Sequence, residues 1–458
     1  MKMSLKDVVK ATRGKMNHQE ALSQVVSGVS TDTRALKKGD LFVALRGERH
    51  DGHDHIDQAF EKGAVACVVE TLKGDGPQIV VKDSLKSLGM IAQYWRGQFK
   101  IPVIAVTGSN GKTTTKDMIG AVLSQKFKTL KTEGNFNNWI GLPQTVFGLT
   151  REYKRAILEM GMNHKGEIDW LAHIASPQVG VITNIGRAHI ENFKNQYGIA
   201  CAKGELLKYL PKNGYAVINA DTPYFEKLKK MTKARVLGFG FSKKAKAQIV
   251  SVDTSRLGKT IFQIKLENKT LNFEIPLGGA HNVYNAAAAI LVGRTQGVSV
   301  EKIRKALKSY KPEKKRMEIV RLAEGVDVLN DSYNANPDSM KAAIDYLNEF
   351  SGRHRVLVVG DMFELGQKAK ELHYEVGQAV GESEIEKLIA VGQYAADLVR
   401  GSVDAGMKAD NSQYFSSVDE LLPHFQNQIQ SGDLVLIKGS RGMKMERLTE
   451  VLVKGGSH

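Results

Sequence analysis

Cysteine is nearly absent: two residues in 458 cannot build a disulfide framework or a four-thiolate zinc site. Cys67 in AVACVVE and Cys201 in IACAKGEL stand far apart in apolar settings, and both read as buried, reduced thiols. Long hydrophobic runs are missing too. The longest uncharged apolar stretches, such as NAAAAILVG, are too short to cross a bilayer, so no membrane span is expected. The opening MKMSLKDVVKATRGK is charged throughout and lacks an apolar segment followed by a small-residue cleavage site. It therefore does not read as a secretory signal, and a cytoplasmic protein is expected. Internal repeats and low-complexity tracts are also missing.

Acidic residues are in deficit, 49 against 65 lysines and arginines, leaving a net charge of +16. That balance favours anionic partners: nucleic acid, anionic lipid or phosphorylated small molecules. The lysines are scattered, as in KKAKAQ and KPEKKR, without the aromatic interleaving of a single-strand stacking surface, so no nucleic-acid partner is expected.

What is present is enough chain for about three domains. The pattern predicts an α/β protein with a small N-terminal α/β domain (1–100), a central domain with a P-loop ATPase-type parallel sheet (101–312) and a C-terminal Rossmann-like domain (313–458). In the first, DLFVAL, AVACVVE and PQIVV alternate with helical stretches such as HIDQAFEKGA. RAILEM, VGVITNIG and GYAVINAD read as strands of the second, and residues 233–276 as an antiparallel insertion. The charged, proline-containing LKSYKPEKKRME reads as the linker into the third, a doubly wound sheet with strands RVLVVGDM, KLIAVG and DLVLIKGS.

One stretch carries chemistry by itself. In VIAVTGSNGKTTTKDM an apolar strand ends in a glycine-spaced turn, Gly108 to Thr113, that opens a helix. Backbone N–H groups there face an anion, Lys112 neutralises phosphate and a threonine hydroxyl can ligate Mg2+. The usual Walker A spacing would put glycine at Val106, so this is a departure from the common form. Thr107, Gly108, Ser109, Asn110, Gly111, Lys112, Thr113 and Thr114 are the candidate nucleotide-binding residues. Glu159 and His189 close apolar strands in LEMG and NIGRAHIENF and could hold a metal beside phosphates; each could equally be a loop polar residue or a satisfied core histidine. Lys203 in AKGEL has no standing by spacing, since a helical lysine is ordinarily solvated. In GGAHNVYNAAAAIL, Gly278 and Gly279 lead to Asn282 as a plausible N-cap of a small-residue helix, which is either a core element or a nucleotide contact.

Taken together, TGSNGKTTT, NFNNWIGLP, LEMG, TNIGRAHIENF, AKGEL, GAHNVYNAAAA, KRME, NDSYNANPDSM, VGDMFELG and LIKGSRGMKME follow the order seen in the Mur ligases. These are ATP-dependent amide-forming enzymes of peptidoglycan precursor synthesis, and the likeness covers all three units. NDSYNANPDSM and the N-terminal STDTRALKKGDLFVALRGERHDGHDHI resemble the type that adds D-alanyl-D-alanine to UDP-N-acetylmuramoyl-tripeptide. The ligase that adds the third peptide residue typically has Asp-Tyr-Ala-His-Thr-Pro where this chain has DSYNANP.

The resemblance implies a cytoplasmic, monomeric enzyme. ATP would phosphorylate the tripeptide carboxylate, and the dipeptide amine would attack the acyl phosphate. It also implies that Lys112, Glu159, His189 and Lys203 are catalytic, with Thr113, Glu159, His189 and a CO2-carboxylated Lys203 around Mg2+. Asn282 and Asn285 would lie near adenine, Arg316 at the phosphates and Asp331 facing the nucleotide. The UDP end would meet Ser30, Thr31, Asp32, Arg34, Arg46, Asp51 and His53 in STDTR and RGERHDGHDH. Asn137, Asn138, Asn330, Tyr333, Asn334 and Asn336 would shape the rest of the substrate site. Arg187 stands where an acidic or small residue would be expected. The alternatives are another ligase of the superfamily, such as folylpolyglutamate synthase, or a P-loop switch. Whether the third acceptor residue is diaminopimelate or lysine is not encoded in any of these motifs.

Overall fold

The computed structural model describes residues 1–48 and 50–455; Arg49, within RGERHDGHDH, lies outside the described residues. Three α/β units follow one another. The first is a five-stranded sheet ordered Lys15–Met16, Gln78–Val80, Ala66–Val69, Asp40–Val43 and Gly28–Ser30. It is parallel except at the Lys15–Met16 edge. The four residues of Ala66–Val69 are all buried, as a strand covered on both faces requires. Helix Ser84–Gly97 then leaves this sheet and packs on the next unit. Its Gly89 makes that approach possible: a Cβ there would sit 2.7 Å from the Trp170 ring.

The second unit centres on Val103–Thr107, buried at every position and flanked by Arg155–Glu159 and Val179–Ile182 in parallel register. Tyr215–Asn219 and Arg235–Gly240 extend the parallel run. The expected antiparallel insertion therefore begins later than anticipated. Helix Phe225–Lys229 supplies the crossover that makes Arg235–Gly240 parallel, and only Ala247–Arg256, Lys259–Leu266 and Lys269–Ile275 form antiparallel pairs. The tip of this hairpin leans on the third unit, where the Gly258 N–H donates to the Tyr346 hydroxyl at 2.9 Å.

The third sheet runs Glu318–Arg321, Asp327–Asp331, Leu434–Lys438, Arg355–Gly360, Lys387–Val391, Ser412–Phe415. It is parallel except for the first strand, with helices between strands. The last parallel strand is inserted beside the first, which places Asp331 and Lys438 as register partners at adjacent carboxyl ends. Two large apolar cores do not respect the boundaries between units. One joins Leu88, Ile91 and Trp95 to Leu142, Ile168 and Leu171; the other joins Ile275, Leu277 and Val283 to Met340, Ile344 and Tyr346.

Candidate active site between the second and third sheets

Strand Val103–Thr107 delivers the chain into a turn that only glycine can make. Gly111 has φ +76, and a Cβ there would overlap the Asn285 side chain; one on Gly108 would overlap the Thr183 hydroxyl. Helix Lys112–Leu123 starts immediately after, with its free N–H groups toward the cleft. The turn is braced from behind: Asn110 N–H donates to Asn184 Oδ1 at 2.7 Å and Thr183 Oγ1 donates to the Asn110 carbonyl at 2.6 Å. Lys112 Nζ donates to the carbonyls of Gly108 and Ser109 at 2.9 and 3.3 Å. Burial draws its pKa below the ordinary lysine value, and the Glu159 carboxylate opposes that shift.

Glu159, 1% exposed, closes its strand. Oε1 accepts from Asn137 Nδ2 at 2.8 Å, while Oε2 is buried with no hydrogen-bond partner. An orphaned carboxylate oxygen in the cleft that Thr113 also lines is the kind of donor a divalent cation completes. Among the described residues no three His, Cys, Asp or Glu side chains cluster as a metal cage. His189 sits at φ +59, and its Nδ1 lies 2.5 Å from Glu364 Oε2, off the line of a hydrogen bond. The imidazole nonetheless holds the Glu364 carboxyl below its ordinary range.

Lys203, on helix Gln196–Gly204, is 1% exposed. Burial, then repulsion from Lys112, pushes its pKa well below the ordinary value. It does not line the cleft, and no hydrogen bond to its Nζ is found among the described residues.

The cleft has a volume of about 760 Å3. Residues 109–114, Asn137, Asn138, Glu159, His189, Asn282 and Asn285 line it from the second unit; Arg316, Asp331, Tyr333, Asn334 and Asn336 line it from the linker and third unit. Thr107 and Gly108 lie beneath the turn, and Asn330 holds Ser332 instead of facing the cleft.

Contacts across the units are direct. Arg316 Nη2 donates to Thr113 Oγ1 at 3.0 Å, with its guanidinium 3.9 Å from the centroid of the Tyr333 ring. The Asn110 and Asn336 amides bond reciprocally at 3.2 and 2.6 Å. Asn282 is not the expected N-cap. Its helix begins at His281 behind Ala280, whose backbone is already helical, and the Asn282 amide instead donates to the Gly278 carbonyl at 2.7 Å. From there a relay runs through Asn285 to Thr115 at 3.0 Å per step.

The N-terminal residues lie away from this cleft; none of Ser30, Thr31, Asp32, Arg34, Arg46, Asp51 and His53 lines it. Arg34 pairs with Asp32 at 2.7 Å, which draws the Asp32 carboxyl down to about 2. His53 is saturated: Nδ1 faces Asp51 at 2.6 Å and Nε2 accepts from the Glu70 N–H at 2.9 Å. The expected buried thiols divide, Cys67 buried and Cys201 only partly so. Residue-by-residue reading passed over Lys438, which is ion-paired with Asp331 and donates to the Asn334 carbonyl at 3.1 Å, and Glu364 and His281, which line the cleft. A lysine at the carboxyl end of a doubly wound strand was the available signal for the first.

Three Mur ligase families match the chain: the catalytic domain over residues 25–95, the middle domain over 106–293 and the glutamate ligase domain over 315–441. The chain belongs to the Mur ligase family. It is 38% identical to UDP-N-acetylmuramoyl-tripeptide--D-alanyl-D-alanine ligase of Bacillus subtilis over 99% of each chain. In structure it matches MurF of Acinetobacter baumannii with TM-score 0.93 at 32% identity, covering 99% of both chains. It also matches MurF ligase of Thermotoga maritima in complex with ADP, with TM-score 0.83 at 29% identity, covering 93% of this chain and 97% of the other. The three-unit Mur ligase architecture anticipated from the motifs is thus the one found.

Proposed function

We infer that this Mur ligase joins D-alanyl-D-alanine to UDP-N-acetylmuramoyl-tripeptide at the expense of ATP, giving the pentapeptide precursor of peptidoglycan. The full-length relation to the Bacillus subtilis ligase carries this reading, and the shared cleft gives it a physical basis. The reaction belongs to the cytoplasm, on a monomeric enzyme.

The tripeptide carboxylate attacks the γ-phosphorus of ATP, the bond to the β,γ-bridging oxygen breaks, and ADP leaves as the acyl phosphate forms. The dipeptide amine then adds to the acyl carbon, and phosphate leaves. Phosphoryl transfer asks the protein for position and charge neutralisation more than covalent chemistry. Lys112 and the N–H groups of the turn take up charge on the transferring phosphoryl group; Arg316 adds a cation from the linker. The Asn282 to Thr115 relay fixes the helix that borders adenine, and the Asp331–Lys438 pair closes the third unit's side. Thr113, Glu159 and His189 would hold Mg2+, which when bound neutralises the phosphate oxygens. CO2 adds only to a neutral amine, and burial shifts Lys203 toward that form; as a carbamate it would contribute an anion in place of a cation. The N-terminal STDTR segment and its neighbours would hold the UDP end.

The test is pentapeptide formation followed by mass spectrometry, with diaminopimelate- and lysine-containing tripeptides compared. Product is expected only when ATP, tripeptide and dipeptide are all present. ATP hydrolysis indifferent to both acceptors would overturn the reading.

A further inference from the structure

Arg187 stands where the resemblance led us to expect an acidic or small residue, and it does not line the cleft. Both its peptide and its side chain reach into the third unit. The backbone N–H donates to Asp338 Oδ2 at 2.7 Å, Nε donates to Asp338 Oδ1 at 3.3 Å and Nη1 donates to Glu375 Oε2 at 2.9 Å. Asp338 lies in the first turn of helix Pro337–Asn348, and Glu375 lies within helix Ala369–Gly381. One arginine therefore spans two helices of the third unit from a loop of the second. The approach is close enough to need glycine alongside, since a Cβ on Gly186 would overlap the Asp338 carboxylate. Side-chain exposures of 25% for Arg187, 33% for Asp338 and 34% for Glu375 place the cluster partly out of water, where such pairs are screened less than at the surface.

The loop that carries Arg187 and His189 also touches the phosphate-binding turn. Gly186 N–H donates to Ser109 Oγ at 2.8 Å, and Asn184 Oδ1 accepts from Asn110 N–H at 2.7 Å. The planar fork of arginine can serve two carboxylates at once; a lysine ammonium is a single point.

We propose that Arg187 is a positioning residue: by bridging Asp338 and Glu375 it holds the third unit closed on the loop that carries His189 and braces the phosphate-binding turn. It touches no reacting atom and acts through the two carboxylates. This rests on the ligase reading above and adds to it that the third unit presents the dipeptide amine to the acyl phosphate. Loosening the bridge then harms delivery of the amine more than capture of the UDP-linked substrate.

Steady-state kinetics of the full-length enzyme test this. Arg187→Ala is expected to lower kcat about ten- to a hundredfold and to raise KM for the dipeptide while leaving KM for the UDP-tripeptide unchanged. Arg187→Lys should restore part of the loss, and Glu375→Ala should reproduce part of it without adding to Arg187→Ala in the double variant. Small-angle scattering with a non-hydrolysable ATP analogue should show compaction of the wild type and less of Arg187→Ala. Wild-type kcat and dipeptide KM in Arg187→Ala would overturn the proposal. So would a loss that shifts all KM values alike and leaves Glu375→Ala silent. If the wild type itself makes no pentapeptide, the ligase reading fails, and the nucleotide-driven compaction still decides for or against the bridge.

Discussion

The N-terminal candidate residues and the ATP cleft are both rich in charge, yet they spend it differently. Around Asp32 and Asp51 the charges answer one another locally: Arg34 to Asp32, Arg46 to Asp51 and Glu70, His53 to Asp51. In the cleft, partners come from a different unit, as with Arg316 and Thr113, or are missing, as for Glu159 Oε2. A polar group satisfied by its sequence neighbours holds its own loop in shape, and a ligand must compete with that. A buried atom left open carries a desolvation cost that a ligand relieves.

The contrast can be broken at graded cost. Lys112→Ala removes the cation that the phosphate-binding turn itself carries, and product formation should fall about a thousandfold or more in a single-turnover assay. Glu159→Gln keeps the shape but withdraws the open anionic oxygen, so the Mg2+ concentration for half-maximal rate should rise about ten- to a hundredfold. His281, at the base of the cleft, has its pKa lowered by burial from 6.5 to about 4. The unfolded chain therefore takes up this proton first, and its contribution to stability, complete above pH 6.5, drains away as pH falls toward 4. The melting temperature should drop across that window more steeply than in His281→Gln. The smallest effect belongs to the N-terminal region. Arg34→Ala breaks an exposed pair, so Tm should not move, while KM for the UDP-linked substrate should rise no more than about fivefold.

Much of the site was legible because it is local. The phosphate-binding turn needs a strand, two glycines and a helix start within a dozen or so residues, and all are adjacent in sequence. Glu159 was legible as a strand end, whereas His189 does not close its strand, which stops at Ile182, and stands in the loop beyond it. The Asn282 cap was misread because the cap position lies two residues earlier, at Ala280, which no capping rule favours. Arg235–Gly240 was misread because its parallel pairing depends on a one-turn crossover too short to show periodicity. Lys438 offered only its place at a strand's carboxyl end and Glu364 offered nothing, since their partners Asp331 and His189 are far away in the chain and meet them only after the sheets form and dock. Arg187 was visible as an oddity, and only its partners gave it meaning.

The two apolar cores that cross the unit boundaries have a consequence for how this chain can be divided. Cut after Pro312, the N-terminal fragment would show Ile275, Leu277 and Val283 to water, and the remainder would show Met340, Ile344 and Tyr346. Cut near residue 100, the helix bearing Leu88, Ile91 and Trp95 would lose the surface that shelters it. Such fragments would adhere to one another before they behaved as independent proteins. The three units divide the labour of handling ligands, but they share a single inheritance of solubility.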